Sequence, residues 1–203
     1  MKRAVVFLNG ELADPKLIRK HIKTTDLLVG VDGGTKLILK LELIPDLVIG
    51  DLDSLKTVPK GVALIQFPKD KDKTDSQLAL EYLVKQGYKS LIVVGVLGRR
   101  IDHLMSNIML LSQQQAEVQI IEGEEIIYFV NKFIVIKGRK DDLVSLIPLL
   151  DCHGVKTVGL KWGLRGESLQ VGSSRGISNE MTGKRAQIRL KSGLLMVIQT
   201  MRQ

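Results

Sequence analysis

The sequence predicts an α/β fold in which a doubly wound, mostly parallel sheet is followed by an all-β sandwich. Two observations lead there. In the first part of the chain, short runs rich in Val, Ile and Leu alternate with helical patterns. From about residue 124 onward no long helical pattern remains, and short strand-like runs follow one another between Gly, Ser, Asp and Lys clusters. Strand–helix alternation argues for a parallel sheet, and closely spaced strands with turn residues between them argue for an antiparallel sandwich. The expected domains are therefore residues 1–123 and 124–203.

Six strands are expected in the first domain, at residues 4–8, 26–31, 46–50, 62–67, 90–96 and 117–122. Each is nearly continuous in apolar character, as in strands buried on both faces. Two helices lie between them. In 75–86, Leu78, Ala79, Tyr82 and Leu83 share a stripe and Gly87 follows the end. In 102–114, Leu104, Ile108 and Leu111 form a row flanked by Met105 and Met109. Thr74 and Asp102 suit the N-terminal cap positions. The second domain is expected to place strands at 126–130, 133–136, 143–147, 154–158, 186–190 and 194–200.

Composition narrows the function. Apolar residues make up 44% and charged residues 26% of 203 residues, ordinary values for a globular chain with a real core. No apolar run reaches the roughly 18 residues of a membrane span, and the opening MKRAVVFLNGE reads as a first strand because Asn9, Gly10 and Glu11 interrupt it. One cysteine, Cys152, allows no internal disulfide, so a cytoplasmic setting is expected. The histidines His21, His103 and His153 are scattered and make no zinc site with it. A net charge of +8 attracts polyanions. Its basic residues are dispersed and aromatics are only 4%, which favours a nucleotide over a nucleic acid.

The acidic residues carry the chemistry. Asp32 (in VDGG), Asp51 and Asp53 (in GDLDS), Asp75 (after PKDKDKT) and Asp102 (in LGRRIDH) each follow a different expected strand. The carboxyl ends of parallel strands share one edge, where open α/β sheets bind ligands. Clustered carboxylates repel one another, and a divalent cation relieves that; Mg2+ takes oxygen ligands from a few carboxylates and from substrate phosphates. Ser54 adds a hydroxyl, the glycines of VDGG (Gly33 among them) and of VLGRR let backbone approach a phosphate, and Arg99 and Arg100 offer guanidinium forks. Taken singly, these features are also ordinary turns and caps: DxDS as an Asx turn, 69–75 as a solvated loop of alternating charge, Trp162 as a core residue. Neither a P-loop nor GxGxxG occurs. Metal-assisted transfer of a phosphate group from ATP to an alcohol is the leading reading. A metal-dependent phosphohydrolase and a noncatalytic basic nucleic-acid-binding protein are its rivals.

These residues also carry a resemblance. VDGGTKLILKLELIPDLVIGDLDSL, FPKDKDKTDSQLAL and LGRRIDHLMSNIMLL, with GLKWGL and GSSRGISNE further on, resemble the thiamine pyrophosphokinase (thiamine diphosphokinase) family in order and over most of the chain. The resemblance implies a homodimer that moves the pyrophosphoryl group of ATP to the hydroxyethyl group of thiamine, by in-line attack on the β-phosphorus with AMP leaving. It implies that Asp51, Asp53, Asp75 and Asp102 hold Mg2+ and the triphosphate, with Arg100 neutralising phosphate charge. It implies that Asp32, Ser54, Lys71, Thr74 and Arg100 line the nucleotide and phosphate site, to which Gly33 of VDGG and the guanidinium of Arg99 are added from the residues themselves. Trp162 would stack on the thiamine pyrimidine across the dimer interface, with Ser178 and Asn179 helping to bind thiamine. Departures are Arg99, where the family often has Gly, Leu52, where it often has Phe, and the Thr–Lys pair after DGG; none removes a carboxylate.

Overall fold

The structure, a computed structural model, describes residues 1–55, 57–98 and 100–202. These divide into two compact units, Met1–Gly123 and Glu124–Gln203.

The first unit runs β1 (Arg3–Phe7), α1 (Pro15–His21), β2 (Leu27–Val31), a 3-10 turn (Asp32–Gly34), α2 (Thr35–Lys40), β3 (Leu47–Gly50), β4 (Ala63–Gln66), α3 (Asp75–Lys85), β5 (Ser90–Val94), α4 (Ile101–Ser112) and β6 (Glu117–Glu122). Its strands pair in the order β4-β3-β2-β1-β5-β6, every pair parallel. The chain steps outward from β1 to β4, then returns to the other side of β1 with β5. The order therefore reverses between β1 and β5, and loops diverge at that point.

Both faces of this sheet are covered. Val5, Phe7, Leu28, Ile92 and Val94 form one core with Ile18 of α1 and Leu37, Ile38 and Leu41 of the α2 segment. The alternate residues Ala4, Val6, Val29 and Val93 are fully buried too, and α3 packs against β2 and β3 through Ala79, Leu80 and Leu83.

Several elements differ from expectation for local reasons. α1 and α2 have 7 and 6 residues, too short for a periodic signal, although Asp14 caps α1 by accepting from Lys16 N and Leu17 N and Pro15 opens it. Thr74 does cap α3, accepting from Gln77 N. Asp102 is not a cap: Arg100 takes that position on α4 without a side-chain bond, and Asp102 sits in the first turn. β4 is not buried on both faces; it ends the sheet order, and its Ala63 and Leu64 are exposed. Among the described residues no helix joins β3 to β4, and the GDLDS segment opens that connection.

The second unit contains β7 (Glu125–Val130), β8 (Phe133–Lys137), β9 (Leu143–Val158), β10 (Arg165–Leu169), β11 (Asn179–Glu180), β12 (Arg185–Arg189) and β13 (Ser192–Thr200). All pairings among them are antiparallel. The two strands expected at 143–147 and 154–158 are one strand of 16 residues. Its inward phase is set by Val144 and Leu146 at one end and by Val155 and Thr157 at the other, and the phase changes across Leu150–Gly154. β9 thereby pairs with β13 and β11 through its first part and with β12 and β10 through its second. Cys152, Val155, Met181, Ile188 and Leu195 share its core.

Leu80 is fully buried, whereas Leu64 is 41% exposed on the edge strand. Leu80→Ala is expected to lower the unfolding free energy by about 2–5 kcal/mol and Leu64→Ala by no more than about 0.5 kcal/mol. The shift in denaturant midpoint checks both.

Candidate active site

The carboxyl edge of the parallel sheet opens into a cleft of about 950 Å³, at the upper end of the range for small-molecule sites. The segments after β1, β2, β3, β4 and β5 all border it. Of the residues singled out from the sequence, Asp32, Asp51, Ser54, Lys71, Thr74, Asp75, Arg100 and Asp102 line it.

Each side chain arrives by a local constraint. Asp32 opens the 3-10 turn with φ +46°, a left-handed conformation that Asp tolerates, and is 8% exposed. Its carboxylate accepts Ser54 N at 3.2 Å, which ties the GDLDS segment to β2. Asn9 Nδ2 donates to Ser54 Oγ at 3.2 Å and ties the same segment to β1. Gly33 and Gly34 are needed by the protein's own packing. A Cβ at Gly33 would collide with Asn9 Oδ1, and one at Gly34 with the Phe7 carbonyl. Asp51 Oδ1 accepts Asp53 N at 3.0 Å, so GDLDS is indeed an Asx turn.

The lysines of the alternating run 69–75 organise the rim. Lys69 pairs with Asp53, Lys73 with Glu81 at 2.8 Å, and Lys71, between them, with two carboxylates at once. Lys71 Nζ donates to Asp51 Oδ2 at 2.8 Å and to the Pro68 carbonyl at 3.0 Å. It also stands 3.1 Å from Asp75 Oδ1. That last oxygen is buried and has no aligned hydrogen bond. The three side chains are only 13–18% exposed.

This arrangement splits the two carboxyls. The Lys71 hydrogen bond, with the Asp53 N–H, holds Asp51 below the usual carboxylate range. Burial lifts Asp75 above it, Lys71 opposes the lift, and the charges of Asp51 and Asp32 add to it. Lys71 is raised: its two carboxylate partners outweigh the burial that works against its charge.

Asp102 stands apart from this group. Arg100 grips it with Nε at 3.1 Å and Nη2 at 2.5 Å, drawing the Asp102 carboxyl down to about 2. Both side chains are more than 60% exposed, and exposed pairs open readily. Arg99 lies outside the described residues. One rim residue gave no sequence signal. Glu122, at the end of β6 and 4% exposed, accepts Val96 N at 2.5 Å and Leu97 N at 3.2 Å through Oε1. It fixes the segment that leads to Arg100, and only the parallel β5–β6 pairing brings it there.

Among the described residues, no three His, Cys, Asp or Glu side chains stand close enough to hold a metal ion. The nearest arrangement is the pair Asp51 and Asp75 on one ammonium. Two carboxylates, one with a buried oxygen lacking an aligned hydrogen bond, fit a hard cation whose other ligands come from phosphate oxygens.

In the second unit Trp162 is 56% exposed, not a core residue, and Lys161 Nζ lies 4.7 Å from its ring centroid. Ser178 is exposed, with φ +57°, and its N–H donates to Ser145 Oγ. Asn179 is 4% exposed and hydrogen-bonds the backbone of Trp162.

Residues 18–121 match the family model for the catalytic domain of thiamin pyrophosphokinase, and residues 132–195 match that for its vitamin B1 binding domain. The chain belongs to the thiamin pyrophosphokinase family. It is 28% identical over 186 residues to the thiamine pyrophosphokinase of Bacillus subtilis, covering 86% of this chain and 87% of that one. It is 24% identical over 217 residues to thiamin pyrophosphokinase 1 of Caenorhabditis elegans, covering 96% and 88%. Among solved structures, thiamine pyrophosphokinase from Bacillus subtilis superposes with a TM-score of 0.88 at 25% identity over the full length of both chains. Thiamin pyrophosphokinase from Candida albicans superposes at 0.79 with 16% identity, over 98% of this chain and 89% of that one, a likeness of fold. Membership in this family selects phosphate-group transfer over the two rival readings.

Because Lys71 faces both Asp51 and Asp75, Lys71→Met is expected to destabilise the fold at pH 7. The sign follows from the shifts. Lowering of the Asp51 pKa stabilises the fold above the carboxylate range and is lost as pH falls through it; raising of Asp75 works in the opposite sense. Without Lys71 both carboxyls rise, so the deficit against wild type should shrink below about pH 4. Denaturant unfolding at both pH values measures it, and a deficit independent of pH would contradict it.

Proposed function

We propose that this chain carries out the thiamine pyrophosphokinase reaction at the carboxyl edge of the first unit's sheet, moving the pyrophosphoryl group of ATP to the hydroxyethyl oxygen of thiamine and releasing AMP. The enzyme class is that of the family. The observation that carries the placement is that the catalytic-domain match falls on the unit in which Lys71 joins Asp51 and Asp75 at a large cleft.

In this reading the first unit is a doubly wound nucleotide domain, and the second is a sandwich that binds thiamine and takes part in a homodimer. The cleft lies at the reversal between β1 and β5, where such sheets bind nucleotides. Asp51 and Asp75 would hold Mg2+, and Asp53 and Asp102 would join them as carboxylate ligands once their partners Lys69 and Arg100 engage the nucleotide phosphates. When bound, Mg2+ supplies charge neutralisation at the phosphate oxygens. Asp32 and Asn9 keep Ser54 and the GDLDS turn in register with the strands. Lys71, Thr74 and Arg100 border the space that the triphosphate would fill. Arg100, released from its exposed pair, offers a planar fork to phosphate oxygens as the AMP leaving group departs.

Trp162 supports the thiamine half of the reading, because a half-exposed indole with a cation on one face is a stacking platform and not packing. Ser178, exposed and next to Asn179 in sequence, adds a hydroxyl. The single cysteine, Cys152, is free and fully buried, which suits a reducing cytoplasm.

The test is AMP formation from ATP and Mg2+ with and without thiamine. AMP should appear only with thiamine. Asp51→Asn and Asp75→Asn should each cut turnover by about 10²–10³-fold with the fold retained, and Trp162→Ala should raise the KM for thiamine. Thiamine-independent release of phosphate, or near-normal AMP production by either Asn variant, would overturn the reading.

A further inference from the structure

Trp162 is the only tryptophan, lies in the connection between β9 and β10, and exposes more than half of its surface. An exposed aromatic side chain in a connection is normally mobile, yet this one is held at every backbone polar group. Asn179 Oδ1 accepts Trp162 N at 3.1 Å, and Asn179 Nδ2 donates to the Trp162 carbonyl at 2.8 Å. The same Oδ1 accepts Glu180 N at 2.9 Å. One amide thus closes a two-bond ring with the backbone of a single residue, and it does so while only 4% exposed. The neighbouring residues add to the hold: Lys161 N donates to the Glu180 carbonyl at 2.9 Å, and Lys161 Nζ pairs with Glu180 Oε2 at 2.8 Å while lying over the indole.

Only Asn fits this role by size and chemistry. The clamp needs a donor and an acceptor on one planar group at the reach of a single methylene. Asp lacks the donor, Ser lacks the second site, and Gln is one methylene too long. Of the amide's hydrogen-bonding capacity, one N–H is left, on a residue almost without exposed surface.

We propose that Asn179 is a positioning residue: its amide sets the backbone of Trp162, and so aims the indole at an aromatic substrate ring, without touching the substrate itself. The proposal rests on the reading that Trp162 stacks on thiamine. It differs from the expectation, drawn from the resemblance, that Asn179 binds thiamine directly.

The single tryptophan makes the test specific. In the full-length, ligand-free protein, Asn179→Ala and Asn179→Asp should each lower the indole fluorescence anisotropy and raise its quenching by acrylamide. In the same variants the KM for thiamine should rise about tenfold, as expected for loss of roughly one hydrogen bond's worth of ordering, with the KM for ATP unchanged. Unaltered fluorescence with a raised thiamine KM would overturn the proposal in favour of direct contact. Altered fluorescence with an unchanged thiamine KM, where Trp162→Ala does raise that KM, would overturn it as well. Trp162→Ala separates the two levels: if that variant keeps the wild-type thiamine KM, the stacking reading fails, and the clamp is then judged by fluorescence alone. Should neither Asn179 variant fold, hydrogen exchange of the Trp162 amide in the wild-type protein decides. Strong protection supports the clamp, and exchange at the open-chain rate overturns it.

Discussion

Six parallel strands with all their carboxyl ends on one edge are the constraint from which the rest of the first unit follows. Parallel pairing fixes the direction of every strand, so each outgoing segment must leave from the same side. The order β4-β3-β2-β1-β5-β6 then opens a crevice between β1 and β5. A sheet of this kind would deliver any acidic residue placed after a strand to the same rim. What turns that delivery into a site is a second layer of interactions. Asp32 and Asn9 hold Ser54, Lys71 joins Asp51 to Asp75, and Glu122 holds the backbone of Val96 and Leu97. All of these contacts except Lys71–Asp75 cross between segments that are neighbours only because the strands are.

Charge works at two ranges in this chain. Over long range, a net charge of +8 draws a polyphosphate toward the surface. At the rim, each lysine of 69–75 is paired with at least one carboxylate, so local repulsion is relieved before any ligand arrives. Lys69, Lys71 and Lys73 reach different partners, and among them Lys71 falls where two carboxylates meet.

Much of this could be read from the sequence, and the misses have physical causes. The strand positions were legible because buried parallel strands are continuous apolar runs. Asp51, Asp75 and Asp102 could be placed at one rim for the same reason. The short helices α1 and α2 were not, since six or seven residues span less than two helical turns. The 16-residue β9 read as two strands because its buried phase slips near Gly154. The partner of Lys71, the role of Glu122 and the clamp made by Asn179 join residues far apart in the chain: 20 positions separate Lys71 from Asp51, 26 separate Val96 from Glu122, and 17 separate Trp162 from Asn179. No local pattern encodes such pairings. Trp162 was read both ways, as a core residue by default and as an exposed platform by resemblance, and its exposure favours the platform.

The central claim is that the carboxyl edge of the parallel sheet, and no other acidic surface, holds the metal–nucleotide complex. Electron paramagnetic resonance of Mn2+ titrated with ATP tests it directly. Wild-type protein should bind the complex, Asp51→Asn and Asp75→Asn should each weaken that binding by at least about tenfold, about 1.4 kcal/mol, and Glu117→Gln, at the opposite end of β6, should leave it unchanged. Equal binding by wild type and both Asn variants would contradict the account.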